Sequence, residues 1–285
     1  MQSRAGYKLV KLLSGVHSVH SLAHKETFHP VIGPVAEAEA LYVGQLRLRE
    51  RVEKARGEFV IWDVGLGAAA NVLTALRATS ESRCTLRLLS FDHTLEPLGF
   101  ALQHASQLGY IIGYEERLQN LLRDHRVQFK TRNQTVNWEV HVGDFPTLLV
   151  QPATQKFPKP HAIMFDAFSP ATNPAMWTQP LFENLFQLLD PSRPCALPTY
   201  SRSTMLRVTL LLAGFFVGVG HPTGEKDETT IAANTLDLLA EPLDRRWLSR
   251  ARRSTSAEPL QDSVYRQARL SPESWEKLQQ HSQFT

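Results

Sequence analysis

Two glycines and a set of acidic residues are spaced so that they could hold and use a small charged cofactor. Gly65 and Gly67 follow the apolar run EFVIWDV and precede helix-favouring alanines, which predicts a strand, a tight turn and a helix. Without side chains, the glycines let a ligand approach the backbone, and free N–H groups at the helix start favour a carboxylate or phosphate. Asp63, near the strand end, could bind an amine across the same turn.

Acidic residues also end two later apolar segments. Asp92 closes the segment CTLRLLSFD, a position that accepts hydrogen bonds from ribose hydroxyls in strand-helix-strand units. Capping the next helix is its simpler role, and Glu96 opens that helix, where the dipole favours an acid. In the pair Gly143-Asp144, the carboxylate could accept an adenine amino group, with plain turn chemistry as an equal alternative.

The segment HAIMFDAFSP brings a further acid to the same edge. A hydrophobic strand delivers Asp166 to the carboxyl end of the sheet, where open α/β folds place their active sites. Phe168 and Pro170 stiffen the loop that follows. Phe168, Trp177 and Tyr200 are candidates to face a cation or stack on a base, although core packing is the commoner role of such aromatics.

The glycine turn also bears on which cofactor is bound. It lacks the third glycine of the dinucleotide fingerprint, so S-adenosylmethionine, which has no pyrophosphate, is favoured over a nicotinamide cofactor. A purely structural strand-turn-helix is the remaining alternative. Methyl transfer from a sulfonium requires a neutral amine in line with the methyl carbon. Asp166 is therefore predicted to hold the protonated amine and take its proton, and neither a metal nor a covalent nucleophile is needed.

Alternating strands and helices, followed by a hairpin, predict a doubly wound α/β sheet with one reversed C-terminal strand. We expect a Rossmann-like domain over 58–240, an N-terminal cap segment over 1–57 and a polar, basic tail over 241–285. A single helix is expected over 36–53. Its outward face would carry Arg47, Arg49, Arg51 and Lys54.

Two charged regions allow alternative interpretations. The histidines at 17, 20, 24 and 29 match no tetrahedral metal template and are interpreted as part of a polar loop. The arginines between 245 and 253 indicate a partly ordered surface appendage, with an RNA-contacting arm as the alternative.

Composition indicates a folded globular protein rather than a disordered or membrane-spanning one. The 285 residues are 42% hydrophobic and 21% charged. Cys84 and Cys195 fall in apolar runs, so buried thiols and a reducing compartment are expected. No secretory leader is recognised and the longest apolar stretch is too short for a bilayer, so we expect a cytoplasmic protein without a membrane partner. A net charge of +3 permits an anionic partner such as RNA without requiring one.

Taken together, the motifs resemble those of the MnmC-like methyltransferase family. The similarity runs from about 20 to 240 and is most specific in DAFSPATNPAMW, residues 166–177. The other shared features are Glu26-Thr-Phe-His29, Gly33, Glu37, Gly65-x-Gly67, Asn71, Asp92 and Gly143-Asp144. The family loop commonly has glycine where Ala69 stands and an aromatic residue where Leu66 stands. The closing hairpin over 224–230 is more acidic here than a version that would contact RNA.

The resemblance implies a class I S-adenosylmethionine-dependent methyltransferase that acts on the 5-aminomethyl group of wobble uridine in tRNA. It implies a separate enzyme that supplies this amine. Catalysis is then assigned to Asp166, Phe168 and Pro170; cofactor binding to Asp63, Gly65, Gly67, Asn71, Asp92, Glu96, Gly143 and Asp144; substrate binding to Glu26, His29, Trp177 and Tyr200. The alternatives are a methyl or aminopropyl transferase acting on another small amine, a nicotinamide-dependent oxidoreductase and a non-catalytic RNA-binding descendant.

Overall fold

Short apolar runs form two β-sheets in the computed structural model, which describes residues 6–224 and 226–285. A small antiparallel sheet precedes a central sheet of eight strands. The small sheet contains β1 (Tyr7–Lys11), β2 (His17–Ser21) and β3 (Glu26–Thr27). The central sheet contains β4 (Glu58–Val64), β5 (Thr85–Asp92), β6 (Arg126–Lys130), β7 (Thr135–Val142), β8 (Ala162–Phe165), β9 (Ala196–Thr199), β10 (Phe216–Gly220) and β11 (Thr229–Ala233).

The central sheet has the order β10-β11-β9-β8-β4-β5-β7-β6. Strands β9, β8, β4, β5 and β7 are parallel, and β11 runs against both of its neighbours, which confirms the predicted reversed strand near the C-terminus. At the other edge, β6 is also reversed, because a tight hairpin joins it to β7. The carboxyl ends of β4, β5, β7 and β8 therefore meet at one edge of the sheet.

Helices cover both faces of the central sheet. Apolar residues of α1 to α6 pack in one core cluster, and those of α7 to α11 pack in another. Alternate residues of β4 contribute to the two clusters, as expected for a strand buried on both faces. The helices are α1 (Pro34–Ala38), α2 (Leu48–Lys54), α3 (Ala70–Thr79), α4 (Glu96–Gln103), α5 (Ala105–Leu108), α6 (Glu115–Asp124), α7 (Phe145–Leu149), α8 (Gln179–Leu188), α9 (Thr204–Leu212), α10 (Arg245–Arg253) and α11 (Pro272–Gln279).

The prediction of one helix over 36–53 is wrong. A π-helical segment, Glu39–Gly44, separates α1 from α2, and Arg47 before α2 has a left-handed backbone with φ of 51°. One of the arginines expected on the outward face is also engaged with the protein interior. The Arg51 guanidinium donates to the backbone carbonyls of His161 at 2.7 Å and Pro194 at 3.0 Å, so it links α2 to the amino ends of β8 and β9.

The N-terminal histidines do not share a polar loop. His17 and His20 lie on β2, and the Nδ1 atom of His20 contacts the hydroxyl of Thr27 on β3 at 2.8 Å. The interpretation as a loop is wrong because Val19 between them is buried and anchors the strand to the core. Within 6–224 and 226–285, no group of three or more His, Cys, Asp or Glu side chains is arranged to hold a metal ion.

The C-terminal residues are a packed part of the fold rather than a partly ordered appendage. Trp247 and Leu248 on α10 are buried in the core cluster of α7 to α11. Gln283 pairs with β10, because its amide accepts the N–H of Val217 at 2.8 Å and donates to the carbonyl of Val217 at 2.7 Å. The tail has few apolar residues, so its sequence did not predict this packing. Those of α10 share one face of the helix, which is enough to bury it against the core. The division at 57 and 240 stays a prediction.

Two expectations from composition can be compared with the structure. Cys84 and Cys195 are buried free thiols, as predicted. No helix in the described part of the chain is both long and apolar enough to cross a bilayer.

Candidate functional site

A cavity of about 720 Å³ opens at the edge where β4, β5, β7 and β8 end. Its volume falls in the range of small-molecule sites, about 300–1,000 Å³. The walls include the glycine turn after β4, Asp92, the Gly143–Asp144 turn after β7 and the loop after β8. Residues 24–31 of the N-terminal region form a further wall, so the cavity combines side chains that lie far apart in the sequence.

The glycine turn is held against the two neighbouring loops. Gly65 has φ of 93°, and a Cβ atom there would stand 2.5 Å from the carbonyl oxygen of Asp166. The backbone N–H of Gly67 donates to Oδ2 of Asp92 at 2.8 Å, and Oδ1 of Asp92 accepts the N–H of Thr94 at 3.2 Å. Burial raises the pKa of Asp92 although these hydrogen bonds oppose it. A carboxylate has about four acceptor positions, so Asp92 can still accept hydroxyls from the cavity.

Gly143 and Asp144 also line this end of the cavity. The Asp144 carboxylate caps α7 by accepting the N–H of Thr147 at 3.1 Å and its hydroxyl at 2.6 Å. The capping role is therefore present in the structure, and contact with an adenine amino group stays a prediction.

A buried polar cluster lies beside the glycine turn. The Asn71 amide donates to Oδ2 of Asp166 at 2.7 Å, and Nε2 of His29 lies 3.7 Å from the same oxygen. On its other side, Nδ1 of His29 lies 3.9 Å from Oε1 of Glu37. Burial opposes protonation of His29, but Asp166 and Glu37 together raise its pKa. Burial raises the pKa of Asp166, against the attraction of His29. The cluster can thus bind and exchange protons next to a ligand.

Two charged side chains of this site were not among the predicted site residues. Glu37 could have been identified from the sequence, because it belongs to the family pattern that also includes His29. Lys226 could not be identified in this way, because it belongs to a hairpin loop of acidic composition. In the structure, this loop brings Lys226 to the cavity wall. Glu225 of the same loop lies outside the described residues. Nζ of Lys226 donates to the carbonyl of Tyr200 at 3.1 Å and lies 4.5 Å from the centre of its ring. Burial lowers the pKa of Lys226, although Glu37 opposes this.

Aromatic rings form the wall next to Asp166. Phe168 stacks on His24 with ring centres 4.2 Å apart, and Phe28 lies 5.6 Å away. The Tyr200 hydroxyl donates to the carbonyl of Ala167 at 3.0 Å, and Tyr200 also lines the cavity. Trp177 does not line it, contrary to the predicted substrate contact. Its fully buried indole donates to the carbonyl of Phe168 at 2.7 Å, so it braces the loop from behind.

Glu26 ties the small sheet to the same loop. Its carboxylate accepts the hydroxyls of Ser169 and Thr172 and the backbone N–H of Ser169. Partial burial opposes ionisation, yet these hydrogen bonds lower the pKa of Glu26 below its ordinary value. The side chain lines the cavity, but its oxygens are already engaged, which favours a bracing role over the predicted substrate contact.

Besides Trp177, three more predicted site residues lie outside the cavity wall. Asp63 is fully buried beneath the glycine turn, where it accepts the Ser90 hydroxyl at 2.7 Å. Glu96 is exposed at the start of α4, and Pro170 follows Ser169 in the exit loop without reaching the cavity. Direct cofactor contact by Asp63 or Glu96, and a catalytic contact by Pro170, are therefore not supported by the geometry.

The buried carboxyl of Asp63 predicts a dependence of stability on pH. Burial raises its pKa from 3.8 to about 8, so folding takes up a proton at neutral pH and stability falls as the pH rises between these values. We expect the free energy of unfolding of Asp63→Asn to fall less steeply than that of the wild type, by up to about 1.4 kcal/mol per pH unit. Urea unfolding at about pH 6 and about pH 8 measures this, and parallel curves would contradict it.

Ala69 occupies a backbone conformation that favours glycine. Its φ is 63° and its ψ is 15°, directly before α3. Left-handed geometry costs an L-residue roughly 1–2 kcal/mol, part of which Ala69→Gly should recover as a gain of about 0.5–1 kcal/mol in unfolding free energy. Ala78→Gly, the same chemical change inside α3, should instead destabilise by about 1 kcal/mol. Thermal unfolding distinguishes the two, and a loss of stability in both variants would contradict this interpretation of Ala69.

The two ends of the cavity differ in chemistry. At one end, the glycine turn lines the cavity and Asp92 keeps acceptor positions open, which fits the ribose of an adenosine-containing cofactor. At the other end, Asp166, His29 and Lys226 surround a polar space bounded by Phe168 and Tyr200. A cofactor bound at the first end would direct its reactive group toward the second.

A family model and several known proteins are similar to this chain. Residues 113–235 match a family model described as S-adenosyl-L-methionine-dependent methyltransferase. The tRNA 5-methylaminomethyl-2-thiouridine biosynthesis bifunctional protein MnmC of Methylibium petroleiphilum is 29% identical over 232 residues, which cover 78% of this chain and 34% of that protein. The protein of the same name from Cupriavidus metallidurans is 28% identical over 231 residues, which cover 78% of this chain and 33% of that protein. The chain thus spans about a third of the length of these curated relatives.

A solved structure shares the fold. The crystal structure of MnmC2 from Aquifex aeolicus matches with a TM-score of 0.69 and 22% identity, covering 92% of this chain and 80% of that one. This likeness confirms the predicted α/β fold, and the family model confirms S-adenosylmethionine as the cofactor in place of a nicotinamide. The chain therefore contains an S-adenosylmethionine-dependent methyltransferase domain and is similar to the MnmC proteins over 78% of its length.

Proposed function

We propose that this protein methylates the nitrogen of a 5-aminomethyl group on the wobble uridine of tRNA. The substrate class comes from the names of the relatives, which describe tRNA 5-methylaminomethyl-2-thiouridine biosynthesis. The single observation that carries the proposal is the buried cluster of Asp166, His29 and Glu37 at the end of the cavity opposite Asp92. Such a cluster suits a substrate that arrives as a cation and must lose a proton before it can react.

The cofactor is assigned to the glycine-turn end of the cavity. Gly65 and Gly67 would let it approach the backbone, Asp92 would accept its ribose hydroxyls, and Asp144 lies where an adenine amino group could be bound. Asn71 lies between this end and Asp166, and its Oδ1 atom is buried without a hydrogen-bond partner among the described residues. When bound, S-adenosylmethionine supplies an electrophilic methyl group on its sulfonium.

The amine is assigned to the polar cluster. The carboxyl groups of Asp166 and Glu37 flank His29, and a carboxylate at this place attracts an alkylammonium ion. Oδ2 of Asp166 would receive the ammonium proton and leave a neutral nitrogen with a free electron pair. Asn71 donates to the same Oδ2 atom, so it orients the carboxylate for this transfer.

The aromatic wall is assigned to the base. Phe168 and Tyr200 line the cavity, and stacking of a base on an aromatic ring is worth about 1–3 kcal/mol. Trp177 and Glu26 hold the loop that carries Phe168, and they act as positioning residues. Stacking at this wall would also exclude water from the amine.

One experiment tests the proposed reaction directly. Purified protein is incubated with isotope-labelled S-adenosylmethionine and tRNA that carries unmethylated 5-aminomethyl uridine, and the digested nucleosides are analysed by mass spectrometry. We expect one labelled methyl group on the aminomethyl nitrogen. Cofactor binding without any labelled tRNA would refute the proposal, and labelling of putrescine or another free amine would favour a different acceptor. A separate enzyme that makes the aminomethyl group, and a cytoplasmic location, belong to the same proposal.

A further inference from the structure

Helix α10 carries an exposed row of arginines on the outside of the fold. Arg246, Arg250 and Arg253 follow the spacing i, i+4 and i+7, so they lie on one face of the helix. No hydrogen bond or ion pair joins any of the three to another described residue. The other two arginines of the helix are engaged, because Arg245 donates to the carbonyl of Phe284 at 2.7 Å and Arg252 lies over the ring of Trp275.

Helix stability does not explain this row. A positive side chain in the first turn is disfavoured by the helix dipole, and Arg246 stands in that turn. Like charges at i and i+4 also repel each other, as Arg246 and Arg250 must, and the helix contains no acidic residue. Only Arg250 and Arg253, in the last turn, are placed favourably for the dipole. An anionic partner would remove the repulsion.

Two further arginines, Arg202 and Arg207, lie close to the start of α9, which follows the cavity residue Tyr200 in the chain. On α9, Arg207 donates to the carbonyl of Thr229 at 2.8 Å and pairs with Glu228 at 3.2 Å. The pKa of Arg207 is lowered by burial and then by repulsion from Arg250 and Arg202, although Glu228 opposes this. Arg202 is exposed and also contributes to lowering the pKa of Lys226 in the cavity wall. Arg202 lies in the segment that joins Tyr200, in the cavity wall, to α9.

We propose that Arg202 and the α10 row of Arg246, Arg250 and Arg253 bind the sugar-phosphate backbone of the RNA whose base enters the cavity. The inference rests on the proposed function, because it takes tRNA as the partner. At a rise of about 1.5 Å per residue, the row is about 10 Å long, close to the length of three stacked nucleotides at about 3.4 Å each. Glu228 is paired with Arg207, and Asp244, which directly precedes α10, caps the helix.

An RNA fits this surface better than an anionic membrane does. The cavity is lined by stacked aromatic rings, which suits a single base extruded from a backbone that is bound outside. A membrane surface would instead require exposed apolar side chains between the cations, and the apolar residues of α10, Trp247, Leu248 and Ala251, are buried.

The test compares two variants that lose the same charge at different places. The first replaces Arg246, Arg250 and Arg253 by glutamine. The control replaces Arg56, Arg83 and Lys130, which are exposed at the opposite, amino edge of the central sheet, by glutamine. For the α10 variant, we expect the Kd for tRNA to rise about 10- to 100-fold at about 0.1 M salt. The log-log salt slope should shrink by about two to three.

The controls separate this inference from the proposed function. Affinity for S-adenosylmethionine should be unchanged in both variants, which shows that they are folded, and tRNA affinity of the amino-edge variant should stay near that of the wild type. The docking surface is refuted if the α10 variant keeps the wild-type Kd for tRNA and the wild-type salt slope. It is also refuted if the amino-edge variant loses as much tRNA affinity as the α10 variant. Neither outcome affects the proposal that the wild-type protein methylates tRNA. If the wild-type protein binds the cofactor but neither binds nor methylates tRNA, both proposals fail.

Discussion

Asp166→Asn is expected to abolish most methyl transfer while leaving cofactor affinity within a few fold of the wild type. The amide cannot accept a proton from the substrate ammonium, and loss of a general base typically lowers kcat by about 10²–10⁴-fold. The fold should tolerate the change, because the Asn71 amide can still donate to the side-chain oxygen at this position. Labelled methyl transfer to tRNA measures kcat, and calorimetry with S-adenosylmethionine measures the Kd.

A second readout distinguishes a proton-accepting role from a bracing role. Asp166 contributes to the raised pKa of His29, so the pKa of His29 should fall in Asp166→Asn when the imidazole is titrated by NMR. Asp144→Asn is the matched control, because it changes a carboxylate in the wall near α7. Asp144→Asn should reduce the affinity for S-adenosylmethionine or the stability of α7 more than it lowers kcat. Methylation at the wild-type rate by Asp166→Asn would end the assignment of this carboxyl.

Gly65→Ala is expected to disrupt the site through the backbone. The added Cβ atom would stand 2.5 Å from the carbonyl oxygen of Asp166, and φ at this position is 93°. The left-handed backbone costs an L-residue roughly 1–2 kcal/mol and overpacking costs roughly 1–3 kcal/mol, so unfolding free energy should fall by about 2–5 kcal/mol. Displacement of the turn should also weaken S-adenosylmethionine binding. Urea unfolding and cofactor titration measure the two effects.

Gly57→Ala supplies a close control. Gly57 has φ of 94°, and an added Cβ atom would meet nothing within 4 Å. This variant should therefore lose only the backbone term, roughly 1–2 kcal/mol, and keep its cofactor affinity. The difference between the two variants measures the close approach of the turn to the loop after β8. Equal losses of stability in Gly65→Ala and Gly57→Ala would contradict the close approach, because a Cβ atom 2.5 Å from the carbonyl oxygen of Asp166 should add a cost.

Several parts of the fold were determined by local sequence alone. The strands β4, β5 and β8 and the turn at Gly65 follow from runs of apolar residues and from glycine spacing, which need no distant contact. The sequence also indicates Asp92 and Asp166 as candidate site residues, because each directly ends or follows such a run. Parallel strands then bring these ends to one edge, so the approximate place of the site could also be predicted.

Only the tertiary structure decided which side chains meet at that edge. His29 approaches Asp166, and Lys226 reaches the cavity wall, because separate loops converge there from distant parts of the sequence. The same folding places Trp177 behind the wall rather than in it. The burial and the direction of a side chain depend on long-range packing. Local sequence periodicity therefore cannot predict either of them. The sequence therefore determined the scaffold and its acidic strand ends, while packing decided which residues line the cavity.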